Sequence, residues 1–149
     1  MSLHPLVAAR EVCEVRGWNV SNLEIQKILY LAHMTFLGRS EGKKRLVSEH
    51  FEAWDYGPVL PTVYHRAKAF GNGPVKNVFV AYPRPRGGAE AEMIQEAVES
   101  LEDKTPGELV AITHWHGGAW AKHYASGGRG IVIPNADILD EYHKRVRRP

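Results

Sequence analysis

The chain has 149 residues, of which 44% are hydrophobic and 24% charged, a composition typical of one globular domain and not of a disordered chain. Its formal net charge of +2 provides no strong field for attracting nucleic acid. The single cysteine, Cys13, cannot form an internal disulfide, and no apolar run is long enough for a signal peptide or a membrane span, so we expect one cytoplasmic domain over residues 1–149.

Two helices are predicted at the start of the chain. The first covers about residues 5–16, with Cys13 inside its apolar stripe. The second begins after Ser21, which with Glu24 forms a capping box, and it ends at Gly38. Apolar residues cover much of its circumference, which predicts a central helix. The exceptions, which could line a groove, are Gln26, Lys27, Tyr30, His33 and Met34.

The segment from Phe51 to Gly71 combines strand, turn and helix signals. Phe51 and Ala53 alternate with Glu52 and Trp54, which predicts a short, half-exposed strand. A Gly-Pro pair at positions 57–58 then predicts a turn, and a proline at position 61 suits the first turn of a helix. Gly71 is expected to end this helix.

The second half of the chain predicts further helices. Residues 75–82 are interpreted as a strand that could pair with residues 50–54, and residues 90–102 as an outer helix with an acidic face. A capping box at Thr105 predicts a helix ending near residues 117–118. Residues 131–133 are either a strand fragment or a core plug, and Asn135 could cap a last helix. We therefore expect a mainly α fold with about six helices and two or three short strands.

Several kinds of functional site find little support in the sequence. His114 and His116 are two residues apart, which is not a helical metal-chelating spacing, so no metal or cofactor is expected. The glycine-rich residues 127–130 lack the lysine of a phosphate-binding loop. The basic residues within 144–148 suit a helix C-terminus, although they could also contact nucleic acid phosphates.

Two readings of the chemistry remain open. Asp55, Tyr56 and His65, with His114 as a further candidate, could form the acid–base site of a small enzyme, although Asp beside a Gly-Pro turn is also ordinary turn chemistry. The other reading is a protein-binding module, because tryptophan and tyrosine are enriched at protein interfaces. The aromatic residues concerned are Trp54, Tyr56, Tyr64, Trp115, Trp120 and Tyr124.

Three blocks of the sequence together form a recognisable pattern: residues 21–32, residues 51–59 with Tyr64 beyond them, and residues 109–120. This pattern resembles the Panacea domain, the family of SocA-like antitoxins and phage-associated proteins. The motif residues that carry the resemblance are Gln26, Lys27, Tyr30, Trp54, Gly57, Pro58, Tyr64, Thr113 and His114. Ile25, Ile28 and Leu31 depart conservatively from the family pattern. No separate DNA-binding domain is present in this sequence, which puts transcriptional autoregulation by the chain alone in doubt.

The resemblance implies a mainly helical, non-catalytic protein that neutralises a partner toxin by direct binding. In the SocA-like branch it also implies delivery of the toxin to an ATP-dependent protease. The motif residues are expected to have structural roles. For partner contacts we expect the exposed edge of the segment from Phe51 to Gly71, that is Tyr56, His65 and Arg66. We also expect contacts from Trp115 and Trp120 in the third block. Neither nucleic acid nor a membrane is expected as a partner.

Overall fold

The computed structural model describes residues 2–124 and 130–147, which form seven α-helices and one two-stranded sheet. The helices are α1 (Pro5–Val15), α2 (Asn22–Arg39), α3 (Pro61–Ala67), α4 (Ala89–Ser100), α5 (Pro106–Thr113), α6 (Ala119–His123) and α7 (Asn135–Val146). The strands are β1 (Glu52–Trp54) and β2 (Gly57–Val59), and a 3-10 turn at Lys68–Phe70 extends α3. The predicted mainly α fold with a small β element is confirmed.

Helix α2 is the centre of the fold. It packs against α1, α3, α4, α5, α7 and β2, and it is buried on most sides. Its start is fixed by the predicted capping box, in which Ser21 Oγ accepts from the Glu24 amide and Glu24 Oε1 accepts from the Ser21 amide at 3.0 Å. A second capping box, between Thr105 and Glu108, begins α5 as predicted. Helix α5 ends at Thr113, which is earlier than expected.

Strands β1 and β2 form an antiparallel hairpin whose loop is Asp55–Tyr56. Phe51 and Ala53 point into the core, as the alternation predicted. The other edge of β1 is occupied by residues 131–133, because the Ala53 amide donates to Ile131 and the Ile133 amide donates to Phe51. Residues 131–133 therefore act as a strand fragment, and Ile133 also fills the core.

Two local predictions are wrong. Residues 75–82 form turns, with Val75 and Phe79 buried, and they do not pair with β1 because both edges of that strand are already occupied. Asn135 does not cap α7, since the N-cap position belongs to Pro134. The Asn135 side chain instead hydrogen-bonds His33 Nε2 at 2.9 Å.

His33 joins three parts of the chain. Its Nδ1 accepts from the Val47 amide at 3.3 Å, so Nε2 carries the proton and donates to Asn135. Burial lowers the pKa of His33 to about 4, despite the opposing hydrogen bond to Asn135. His33 is therefore a neutral core residue that fixes α2 against the 41–50 connection and α7. Within residues 2–124 and 130–147, no helix has the length and apolar character needed to cross a membrane.

Candidate functional site

The hairpin packs directly against the N-terminal half of α2. Gly57 has a φ of 114°, a conformation that strongly favours glycine. A Cβ at this position would lie 3.0 Å from Nζ of Lys27 and 3.2 Å from Oγ1 of Thr113. Glycine is thus required both by the backbone conformation and by the close approach of two side chains. These two side chains come from α2 and α5, so the hairpin sits where the three sequence blocks meet.

Two side chains of α2 bind the backbone that leads out of the hairpin. Gln26 Oε1 accepts from the Leu60 amide at 2.7 Å, and Gln26 Nε2 approaches the Leu60 carbonyl at 3.4 Å. The Lys27 ammonium donates to the Pro58 carbonyl at 3.1 Å. These bonds satisfy backbone groups that β1 cannot reach. Gln26 and Lys27 therefore connect α2 to the backbone of residues 58–60.

An aromatic stack supports the other side of the hairpin. The rings of His114 and Trp120 lie parallel, with centroids 3.8 Å apart, and Trp120 Nε1 donates to the Trp54 carbonyl at 2.6 Å. Burial lowers the pKa of His114, while a hydrogen bond with the Tyr56 backbone opposes this and the charge of Lys27 adds to it. His114 Nε2 is buried and has no hydrogen-bond partner among the described residues.

The motif residue Tyr30 lies deeper in the protein. Its hydroxyl donates to Glu141 Oε1 at 2.6 Å, and Glu141 also accepts from the Ala119 amide and from Arg145. Burial, with the nearby Glu141 carboxylate, raises the pKa of Tyr30. The arrangement joins α2, α6 and α7 through one buried carboxylate. Tyr30 and Glu141 are almost completely buried, so neither side chain is available at the surface.

A groove of about 360 Å³ opens between α2, the hairpin and α3, and we call it the hairpin groove. Its lining residues are Asn22, Leu23, Gln26, Lys27, Trp54, Asp55, Tyr56, Val59, Tyr64, Lys68, Gly71 and Asn72. The rings of Trp54 and Tyr64 are 4.8 Å apart at an angle of 64° and form an aromatic wall. Concave sites with aromatic walls and a few polar groups are typical binding sites.

Lys27 is an unusually buried lysine in the groove lining. The residue is 1% exposed, yet its ammonium has only the Pro58 carbonyl as a hydrogen-bond acceptor in the described part of the chain. Burial lowers the pKa of Lys27 to about 7. Its neutral and charged forms are therefore both populated near neutral pH. A bound anion would favour the charged form.

The expected groove-lining residues of α2 divide into two groups. Gln26 and Lys27 line the hairpin groove, as expected, whereas Tyr30, His33 and Met34 are buried in the core. Lys68, on the 3-10 turn after α3, also lines the groove and was not anticipated. An isolated exposed lysine gives no sequence signal of its own, and only the fold brings it into the lining of the same groove as Lys27.

The residues expected to contact a partner lie in different places. Tyr56 is 71% exposed at the hairpin tip and lines the groove. His65 and Arg66 are exposed on α3, outside the groove lining. Trp115 is half-buried beneath the Arg145 guanidinium, which lies 4.7 Å from its ring. Trp120 is 8% exposed and leaves little surface for a partner.

The possible acid–base site is not assembled by the described residues. Asp55 and Tyr56 line the groove, but His65 and His114 do not. Asp55 Oδ1 accepts from the Tyr124 hydroxyl at 2.6 Å, and the ring of His65 contacts Tyr64. A catalytic site needs these groups to converge on one reacting atom.

The other chemical alternatives receive no support from the described residues. Across residues 2–124 and 130–147, no cluster of three or more potential ligands could hold a metal ion. The glycine-rich stretch falls mainly on residues 125–129, outside the described residues, and so does Arg148 of the basic tail. Within that tail, Lys144 pairs with Asp140 and Arg145 pairs with Glu141.

Comparison with known proteins agrees with the three sequence blocks. Residues 25–86 match the family model described as "Antitoxin SocA-like, Panacea domain". Antitoxin SocA from Caulobacter vibrioides (strain NA1000 / CB15N) is 34% identical over 113 residues. The alignment covers 68% of this chain and 58% of that protein, so the chain spans little more than half of this curated relative. No solved structure matched the chain. The resemblance to the Panacea family is confirmed.

Proposed function

We propose that this chain, whose residues 25–86 belong to the SocA-like Panacea domain family, is an antitoxin that neutralises a cognate toxin by direct binding. The observation that carries the proposal is its 34% identity to Antitoxin SocA. The hairpin groove supports it, because an exposed aromatic side chain, Tyr56, stands beside a concave aromatic wall. The proposal contains no catalytic step by this chain.

The proposed contact face is the hairpin tip with the groove beside it. Tyr56 can bury a large area in a complex while its hydroxyl keeps a hydrogen bond. His65 and Arg66, exposed on the adjoining helix α3, extend this face. Trp115 remains a weaker candidate because its ring already packs under Arg145. Trp120 is expected to act by supporting the hairpin from behind.

Co-expression with the product of the neighbouring gene tests this function. We expect that product to arrest growth alone and growth to recover when the chain is present. Tyr56→Ala should abolish the recovery without lowering thermal stability, since its side chain is 71% exposed. Val146→Ala is a matched control, because Val146 is 59% exposed and does not line the groove. A non-toxic neighbour, or no recovery with the wild-type chain, would refute the antitoxin role.

We further propose that the chain delivers its toxin to an ATP-dependent protease in the cytoplasm. This mode is supported by the similarity to Antitoxin SocA, because resemblance to the SocA-like branch of the family implies delivery of the toxin to a protease. A pulse–chase experiment separates it from simple inhibition. Delivery predicts a shorter toxin half-life when the chain is present, and the effect should disappear in a protease-deficient strain. An unchanged half-life together with growth recovery would leave direct binding as the whole mechanism.

A further inference from the structure

Lys27 is a buried lysine for which the described residues supply no anionic partner. Its side chain is 1% exposed, and no ion pair found within residues 2–124 and 130–147 includes it. Its one hydrogen-bond acceptor there is a neutral carbonyl, that of Pro58. Buried ammonium groups are normally paired, because removal of the charge from water is unfavourable. Lys27 therefore stands at a site whose charge the described residues leave uncompensated.

The groove above Lys27 has a positive excess. Lys27 and Lys68 line it together with a single carboxylate, that of Asp55. Asp55 is exposed and already accepts a hydrogen bond from Tyr124. Trp54 and Tyr64, whose rings contact each other, line the same groove. An occupant that suits the groove therefore combines one negative charge with apolar groups.

We propose that the hairpin groove receives an acidic side chain of a protein partner, whose carboxylate pairs with the Lys27 ammonium. Apolar residues next to that acid in the partner pack against Trp54 and Tyr64. Identification of the occupant as a protein rests on the antitoxin function proposed above. Recognition of a carboxylate rests only on the groove itself.

The number of available donors favours a carboxylate over a phosphate. A charged lysine has three N–H donors, and one of them is used by Pro58. The two that remain match the two oxygens of one carboxylate. Phosphate sites in proteins commonly combine lysine with an arginine fork, a helix N-terminus or a row of backbone amides. Asn22 and Leu23 at the start of α2 line the hairpin groove, so inorganic phosphate is included among the probes below. No arginine lines the hairpin groove.

Binding of a carboxylate is also coupled to protonation of Lys27. Burial holds its pKa near 7 in the empty groove. An opposite charge at hydrogen-bond distance favours the charged form and raises that pKa. The Pro58 carbonyl, Thr113 and His114 lie near Lys27, and none of these groups is anionic. The charged groups that line the groove with Lys27 are Lys68 and Asp55, and the Asp55 carboxylate accepts a hydrogen bond from Tyr124. The pKa of Lys27 is therefore a direct readout of occupancy.

The test is a titration of the whole chain with four probes. Binding is followed by NMR of the backbone amides of the groove residues, and the protonation of Lys27 by NMR of its side chain. The probes are the blocked tripeptide acetyl-Leu-Glu-Tyr-amide, its Gln counterpart, the Gln counterpart with a free C-terminal carboxylate, and inorganic phosphate. We expect a saturable shift with the Glu peptide, at a dissociation constant of about 1–10 mM, and binding at least tenfold weaker for the other three. The apparent pKa of Lys27 should rise when the Glu peptide is bound.

Variants locate the contact. Lys27→Met should abolish the difference between the Glu and Gln peptides, and Lys76→Met, at an exposed position outside the groove, should preserve it. Equal binding of the Glu and Gln peptides, or no saturable shift up to about 20 mM, would overturn the proposal. Preferential binding of the free C-terminus or of phosphate would equally overturn it. Growth recovery with the neighbouring gene is a separate experiment, so failure of the antitoxin function can be distinguished from failure of carboxylate binding.

Discussion

Replacement of Lys27 by methionine is expected to stabilise the protein. Methionine fills nearly the same volume as lysine but brings no charge into the core. The wild-type side chain is 1% exposed, and its ammonium donates only to the Pro58 carbonyl among the described residues. Replacement of an unpaired buried charge by an apolar group removes its desolvation penalty.

The magnitude follows from the pKa of Lys27, which burial lowers from 10.5 to about 7. This difference corresponds to a penalty of about 4 kcal/mol at pH 7. Loss of the bond to Pro58 leaves a buried carbonyl unpaired, which costs about 2 kcal/mol. The net gain in the free energy of unfolding is therefore about 2 kcal/mol, or a rise in Tm of about 4–8 °C for a chain of this length.

The stability difference between the wild type and Lys27→Met is expected to depend on pH. Between pH 7 and pH 10.5 the unfolded lysine binds a proton that the folded one does not, so wild-type stability rises with pH in this window. The advantage of Lys27→Met should thus shrink by about 2 kcal/mol between pH 7 and pH 9.

Urea denaturation at pH 7 and pH 9 measures the stability difference between the wild type and Lys27→Met, with Lys76→Met as the exposed control. A variant that is less stable at pH 7, or an advantage that does not change with pH, would show that Lys27 is not the desolvated cation described here.

Two further predictions concern the core. Gly118→Ala should lower the free energy of unfolding by about 1–3 kcal/mol, because a Cβ there would lie 2.9 Å from the Glu141 carboxyl carbon. Gly107→Ala in α5 is the control: the nearest atom to its Cβ is 4.0 Å away, and alanine favours a helix, so no loss is expected. Urea denaturation measures both variants, and equal losses would contradict the prediction. Burial lowers the pKa of His33 in the folded protein to about 4. As the pH falls from 6.5 to 4, the histidine is therefore protonated mainly in the unfolded state, and the free energy of unfolding should drop by about 3 kcal/mol more in the wild type than in His33→Gln. Parallel pH profiles of the two proteins would refute this prediction.

Local signals in the sequence predicted the helix starts well. The capping boxes at Ser21 and Thr105 need only residues three apart, so no tertiary information was required. The strand predicted over residues 75–82 failed because a strand also needs a free edge, and β2 and residues 131–133 occupy both edges of β1. Asn135 has the right chemistry for a cap, but its side chain is engaged by His33, 102 positions earlier in the chain.

The candidate site was only partly predictable. Gln26 and Lys27 interrupt an apolar helix, and that irregularity marked them as possible groove residues. Their burial, however, results from the hairpin closing over α2, with Gly57 allowing the close approach. The pKa of Lys27 is a product of that closure. It cannot be derived from sequence spacing alone.

The neighbouring motif residues Gln26 and Lys27 both hydrogen-bond the hairpin backbone, but only Lys27 does so with a charged group. Gln26 bonds both backbone groups of Leu60 and is a neutral side chain, so it fastens the hairpin at little cost in desolvation. Lys27 supplies one bond to Pro58 and carries a charge that the described residues leave unpaired. If fastening were its only role, a neutral donor would serve better. The greater stability expected of Lys27→Met, combined with loss of carboxylate recognition, would show that stability at this position has been given up for binding.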